Sequence, residues 1–238
     1  MGRRKLIEDD ELLARVREVV IKEGITISSR RIAEAVGVSS AVLFQRYGSK
    51  ENLLFAQLFG AKKGSFTGCV ADISGVVEAA NEGTLFLDEI GEMSAAMQSK
   101  LLRVLQNGEV RTVGGSRVSQ VNVRLITATH RDLRAMVAAG TFREDLYYRV
   151  TVVSLELPPL RERRSDIPLL AGHFLAKQAD RLRKPGMKLS PEAVEAFCAY
   201  AWPGNIRELE NVVERTVLLT DGDTIRPKDL PVEMQRAL

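Results

Sequence analysis

The run Asn81-Glu82-Gly83-Thr84-Leu85-Phe86-Leu87-Asp88-Glu89-Ile90 constrains this chain more than any other stretch. Thr84–Leu87 reads as a short strand between Gly83 and Gly91, and an unbroken apolar run predicts a strand covered on both faces of a parallel sheet. A sheet of that kind implies an α/β fold. The two carboxylates then stand at the strand's carboxyl end, in the crevice where open α/β sheets bind ligands. Asp88 can hold a hydrated Mg²⁺ there, and Glu89 can orient or deprotonate a water. The same residues also fit a strand followed by a solvated acidic turn, so the surroundings must decide.

With 238 residues the chain can bury a real core and is long enough for two modest domains. A net charge of +3 is too small to name a partner. The first two dozen residues hold no apolar run long enough for a signal peptide, and nothing resembles a membrane span. A cytoplasmic protein with no membrane role is expected. Cys69 and Cys198 are the only cysteines, and His130 and His173 the only histidines, so neither a disulfide framework nor a zinc site is expected.

Residues 8–23 carry Leu12, Leu13, Val16, Val19 and Val20 on one helical face, and Gly24 stops the pattern. Ser28 or Ser29 can cap a second helix over 30–36, with Ile32, Ala33 and Val36 inward, ended by Gly37. Ser39 or Ser40 caps a third that runs to about Tyr47. These are the proportions of a helix-turn-helix. Residues 25–54, from Ile-Thr-Ile-Ser-Ser-Arg-Arg to Gly-Ser-Lys-Glu-Asn-Leu-Leu, resemble the DNA-binding domain of TetR-family regulators. The resemblance implies an all-α domain over 1–57 that binds DNA. Ser39, Ser40, Ala41 and Gln45 would face base edges, and Ser28, Arg30, Arg46, Tyr47 and Lys50 would lie near phosphates. Phe44 replaces the usual tyrosine and removes one phosphate-contacting hydroxyl. A three-helix bundle without a DNA role stays open.

From residue 58 the sequence changes character without a linker. Gly64-Ser65-Phe66-Thr67-Gly68-Cys69 resembles the Gly-Ala-Phe-Thr-Gly-Ala loop of sigma-54-dependent activators, with Ser65 and Cys69 as small replacements for the two alanines. An exposed Phe66 between glycines is costly to leave in water without purpose. The resemblance runs on to Leu230. Ser94 opens an amphipathic helix with Met97, Leu101, Leu102 and Leu105 inward, ended at Gly108. Strands over 109–113 and 117–121 flank Gly114-Gly115 as a hairpin. Further strands are expected over 123–128 and 151–157, and Ser190-Pro191 starts a new helix. The resemblance implies an AAA+ α/β core over 58–172, carrying the sigma-54 contact loop, and a helical lid over 173–238.

It also assigns roles. Asp88 and Glu89 match the Walker B pair, Asp88 on the metal and Glu89 on the attacking water. His130 matches the sensor I position, Arg143 and Arg149 match candidate arginine fingers, and Arg207 matches the sensor II arginine. ATP and Mg²⁺ are the implied cofactors. Sigma-54 RNA polymerase and a self-associated or mixed AAA+ ring are the implied partners. Yet no Gly-x-x-x-x-Gly-Lys-Ser/Thr string occurs; the nearest fragment, Gly48-Ser49-Lys50-Glu51, lacks the second glycine. Without that phosphate cradle, hydrolysis is expected to be lost or impaired, and the remaining strands are expected to leave an unpaired gap or to close up. The expected function is a DNA-binding regulator of the sigma-54 activator type. Two alternatives stay open: a working ATPase with a rebuilt phosphate site, or a fusion retaining DNA binding alone.

Overall fold

The computed structural model describes residues 9–23, 28–66, 69, 72–116 and 118–235. The chain divides into two units, Met1–Ser154 and Leu155–Leu238.

The first unit begins with four helices: α1 Asp9–Glu23, α2 Ser29–Val36, α3 Ser40–Tyr47 and α4 Lys50–Phe59. Local chemistry fixes their ends. The hydroxyls of Ser28, Ser39 and Ser49 accept hydrogen bonds from the backbone N–H three residues on, satisfying donors that the first turn leaves free. Gly37 ends α2 in the left-handed region at φ 77°, as its place after the last inward residue predicted. Leu12, Val16, Ile32, Ala33, Val36, Leu43, Tyr47 and Leu53 form the core of this bundle.

Helix α4 joins the bundle to the α/β core of the same unit. Leu53 packs into the bundle, whereas Leu54, Leu58 and Phe59 pack into the α/β core. The expected border at 57/58 therefore falls inside one helix that serves both cores. The expected border at 172/173 likewise falls inside a helix, Ile167–Arg181, and the chain divides into its two compact units at 154/155.

Past the short helix α5 (Val76–Ala79), β1 (Thr84–Leu87) leads through a tight turn to α6 (Ala95–Asn107). The hairpin β2 (Glu109–Arg111) and β3 (Val118–Gln120), β4 (Arg124–Thr127), α7 (Leu133–Ala138) and α8 (Glu144–Val150) complete the unit. Strands β1 and β4 pair in parallel, Thr84 opposite Arg124 through Leu87 opposite Thr127. The hairpin forms in the expected place but is shorter than predicted, because Val113 pairs instead with the loop after α4, where Lys62 N–H donates to its carbonyl at 2.9 Å. Gly114 needs both its φ of 69° and its missing side chain, since a Cβ there would sit 2.4 Å from Ser65 Cβ.

Two strand expectations are corrected. Thr84–Leu87 is covered on one face only: Leu85 and Leu87 are buried, but Phe86 is 59% exposed and its neighbour Ile126 is also exposed. Residues 151–157 form no strand, and Val152, Val153, Leu155 and Leu157 all stand exposed. The reason is shared. Among the described residues this sheet has only two strands, so its outer face has no covering layer and 151–157 has no ladder to join.

The second unit is helical: α9 (Ile167–Arg181), α10 (Pro191–Ala199), α11 (Asn205–Leu219) and α12 (Val232–Gln235), with β5 (Lys188–Leu189) paired to β6 (Thr224–Ile225). Trp202 anchors its core, wholly buried, with its indole N–H donating to Phe197 O at 2.8 Å. Helices α9 and α11 are tied by Lys177–Glu210 at 2.9 Å and by Arg181–Glu214. The Lys184 ammonium donates to the carbonyls of Val217 and Thr220, which the end of α11 leaves free.

Candidate functional site

The parallel register of β1 and β4 sets their carboxyl ends side by side. Ala128 N–H donates to Leu87 O at 3.0 Å and Ile90 N–H to Ala128 O at 3.1 Å, which locks the two following turns together. Asp88 leaves β1 with an exposed side chain, and its Oδ1 accepts from Glu89 N–H at 2.9 Å. Glu89 takes the left-handed conformation at φ 55° and ψ 46°, a cost of about 1–3 kcal/mol for a non-glycine residue that concentrates at functional sites. That turn directs its carboxylate to His130, where Oε2 lies 2.7 Å from Nδ1. The sequence nominated Glu89 and His130 separately; strand pairing makes them a couple. The same turn holds a pair the sequence did not single out, Glu92 with Arg131 at 2.5 Å. A Cβ at Gly91 would meet Thr129 Oγ1 at 3.0 Å and Arg131 Cβ at 3.2 Å, so the tight approach of the turns favours glycine.

Arg143 is moored on three sides. Its Nε and Nη2 bond both oxygens of Asp145, at 2.9 and 2.7 Å, and its backbone N–H donates to Gln98 Oε1 at 2.9 Å. That fork holds the Asp145 carboxyl below, and the Arg143 guanidinium above, its ordinary range. Gln98 is the buried residue that sequence reasoning missed. Its amide N–H groups donate to Met93 O at 2.9 Å and Thr141 O at 3.1 Å, joining the turn after β1 to the start of α8. Only its place on the inner face of an amphipathic helix hinted at this. Arg149 stands exposed in the last turn of α8.

Arg207 belongs to the second unit. It is exposed in the first turn of α11 and lines a groove of about 510 Å³ with Glu208, Asn211 and Arg215.

The loop 64–69 differs from expectation. Phe66 is half-buried, with its ring centroid 6.0 Å from that of Tyr47, so this one side chain packs against the helical bundle. Cys69 is buried, and Thr67 and Gly68 lie outside the described residues.

Among the residues expected at DNA, Arg30, Ala41 and Gln45 are exposed, while Arg46 is half-buried and Ser40 partly so. The hydroxyls of Ser28 and Ser39 are engaged as helix caps. Two others sit deeper in the fold. Tyr47 is 3% exposed, because its ring fills the bundle core rather than facing solvent. Lys50 is half-buried, and desolvation pulls its pKa down against the opposing pull of Glu92.

Chemically, Asp88 offers an open carboxylate, and Glu89 and His130 form a close pair at 2.7 Å. Among the described residues no three His, Cys, Asp or Glu side chains cluster as a metal cage. That is compatible with Mg²⁺, which takes one or two carboxylates and fills its shell with waters and phosphates. No helix among the described residues is long and apolar enough to cross a membrane.

A parallel α/β core with acids at a strand end, beside a separate helical unit, matches a mixed α/β AAA+-like fold with a helical lid, as comparison with known proteins shows. A family described as the sigma-54 interaction domain matches residues 18–156, more than half of the chain, and one described as the AAA+ ATPase lid domain matches 161–238. The chain belongs to the sigma-54 interaction domain family. It is 47% identical over 234 residues to the transcriptional regulatory protein ZraR of Escherichia coli, covering 95% of this chain and 53% of that protein. It is 51% identical over 186 residues to the regulatory protein AtoC of the same species, covering 78% of this chain and 40% of that one. The structure of NtrX from Brucella abortus in complex with ADP superposes with a TM-score of 0.70 at 30% identity, over 98% of this chain and 56% of that one; NtrX is also solved with ATP. The chain thus spans about half the length of the relatives it matches. The family match begins at residue 18, within α1, and so takes in α2 and α3.

Proposed function

We propose that this chain is a transcription regulator of the sigma-54 activator type whose AAA+ part engages sigma-54 RNA polymerase or intact activator subunits while hydrolysing ATP poorly or not at all. The observation that carries this reading is the Asp88, Glu89 and His130 arrangement standing in a chain without a Gly-x-x-x-x-Gly-Lys-Ser/Thr cradle. Asp88 would hold Mg²⁺, which supplies charge neutralisation at the phosphates when bound, and Glu89, fixed by His130, would orient water. The motif whose backbone N–H groups and lysine would give a triphosphate most of its binding does not occur in the sequence. Arg143 and Arg149 would act on a neighbouring subunit in a self-associated or mixed ring, Arg143 first leaving Asp145. The NtrX complexes with ATP and ADP support nucleotide as the ligand class for the fold.

The helices α1 to α3 are proposed as the DNA-binding part, on the strength of the exposed Arg30, Ala41 and Gln45 beside two serine-capped short helices. Residues 64–69 are proposed as the sigma-54 contact, on the resemblance of Gly64-Ser65-Phe66-Thr67-Gly68-Cys69 to the family's loop motif. Titration of the full chain with Mg-ATP tests the nucleotide claim: weak, millimolar-range binding is expected, and micromolar binding with turnover would overturn it in favour of a rebuilt phosphate site.

A further inference from the structure

A second set of charges lies away from Asp88 and has no part in that reading. Helix α6 and the hairpin β2–β3 enclose a cavity of about 170 Å³, lined by Phe59, Lys100, Arg103, Glu109 and Arg111 together with two valines. Three cations face one carboxylate there. Among the described residues, no carboxylate comes within 4.0 Å of Lys100, Arg103 or Arg111. Lys100 is held in place rather than waving in solvent. Its Nζ donates to Arg111 O at 2.8 Å and lies 5.8 and 5.4 Å from the ring centroids of Phe55 and Phe59. An ammonium has three donors, and this geometry uses one. Burial holds Lys100 below the ordinary lysine range, and the charges of Arg111 and Arg103 push the same way. Arg111 is positioned too, since its Nε donates to Gly115 O at 3.1 Å across the hairpin turn.

The geometry points to an oxyanion site: the cavity between α6 and the hairpin binds a phosphate group through Lys100, Arg103 and Arg111. A tetrahedral anion offers acceptors to the spare ammonium N–H groups and to guanidinium forks, and it relieves the repulsion among the three cations. The cavity is well below the several hundred Å³ that a whole nucleotide fills, so the ligand is a single phosphate, free or at the end of a phosphomonoester.

Calorimetric titration of the full chain at low ionic strength, with inorganic phosphate and with phenyl phosphate, tests the site. Saturable binding of one phosphate per chain is expected, with no equivalent signal from sodium chloride at matched ionic strength. Lys100→Met keeps the apolar stem over the two rings, and Arg103→Gln alters an exposed side chain; each should weaken binding by about tenfold or more. Tighter binding of phenyl phosphate assigns the site to phosphomonoesters, and equal or weaker binding assigns it to free phosphate. No saturable binding, or affinity unchanged in both variants, would overturn the proposal. Should Lys100→Met fail to melt cooperatively, Arg103→Gln decides alone.

Discussion

At the scale of single residues, one buried amide in the first unit and one buried indole in the second donate hydrogen bonds to backbone carbonyls. Gln98 spends its whole amide on three backbone groups, Met93 O, Thr141 O and Arg143 N–H. Gln98→Ala leaves those groups short of partners in a buried setting, and a loss of about 2 kcal/mol is expected by denaturant titration of the first unit. Trp202→Ala removes the largest wholly buried side chain and strands Phe197 O; it should cost about 3–5 kcal/mol in the second unit. The Arg143–Asp145 fork gives a pH prediction. Asp145 has its folded pKa depressed, so the stability it contributes is present above the unfolded carboxylate range and is lost as pH falls through the folded value. Melting temperature followed from neutral to acid pH should show this loss, and Asp145→Asn should remove that part of the slope. Sequence reasoning reached Asp88, Glu89 and Arg143 because short motifs carry them. It could not reach Gln98, whose role comes from contacts with residues 43 and 45 positions away.

At the scale of elements, the sequence was informative wherever a cap or a period is local. Gly37, Ser94 and Gly108 all end or begin helices as their positions predicted. Gly108 sits at φ 68°, and a Cβ there would meet Val121 O at 2.6 Å; Gly108→Ala should cost about 1–3 kcal/mol by thermal melting. Where sequence reasoning failed, the missing information was non-local. An apolar run says only that burial is wanted, and whether a strand forms depends on a partner elsewhere in the chain. Residues 151–157 have the composition of a strand and no ladder, and Phe86 has a face with no cover. Phe66 misled in the opposite sense, since flanking glycines suggested exposure while Tyr47 offered it a ring to pack on. Because Val153 and Leu155 are exposed, replacing both with lysine should leave the melting temperature within about 2 °C while reducing light scattering at high concentration.

At the scale of the whole molecule, the boundary that a composite reading places at 57/58 runs through α4, whose side chains serve two cores at once. That sharing gives the N-terminal helices a structural stake in the α/β part, whatever they bind, and the family match from residue 18 accords with it. The proposed function requires that Asp88, Glu89 and His130 keep the geometry of a metal-and-water site while turnover is lost or impaired for want of a phosphate cradle. Steady-state phosphate release by the purified chain in Mg-ATP, beside the Glu89→Gln variant, tests it most directly. The prediction is a rate at the background of the assay and unchanged by the substitution; sustained turnover that Glu89→Gln abolishes would contradict it.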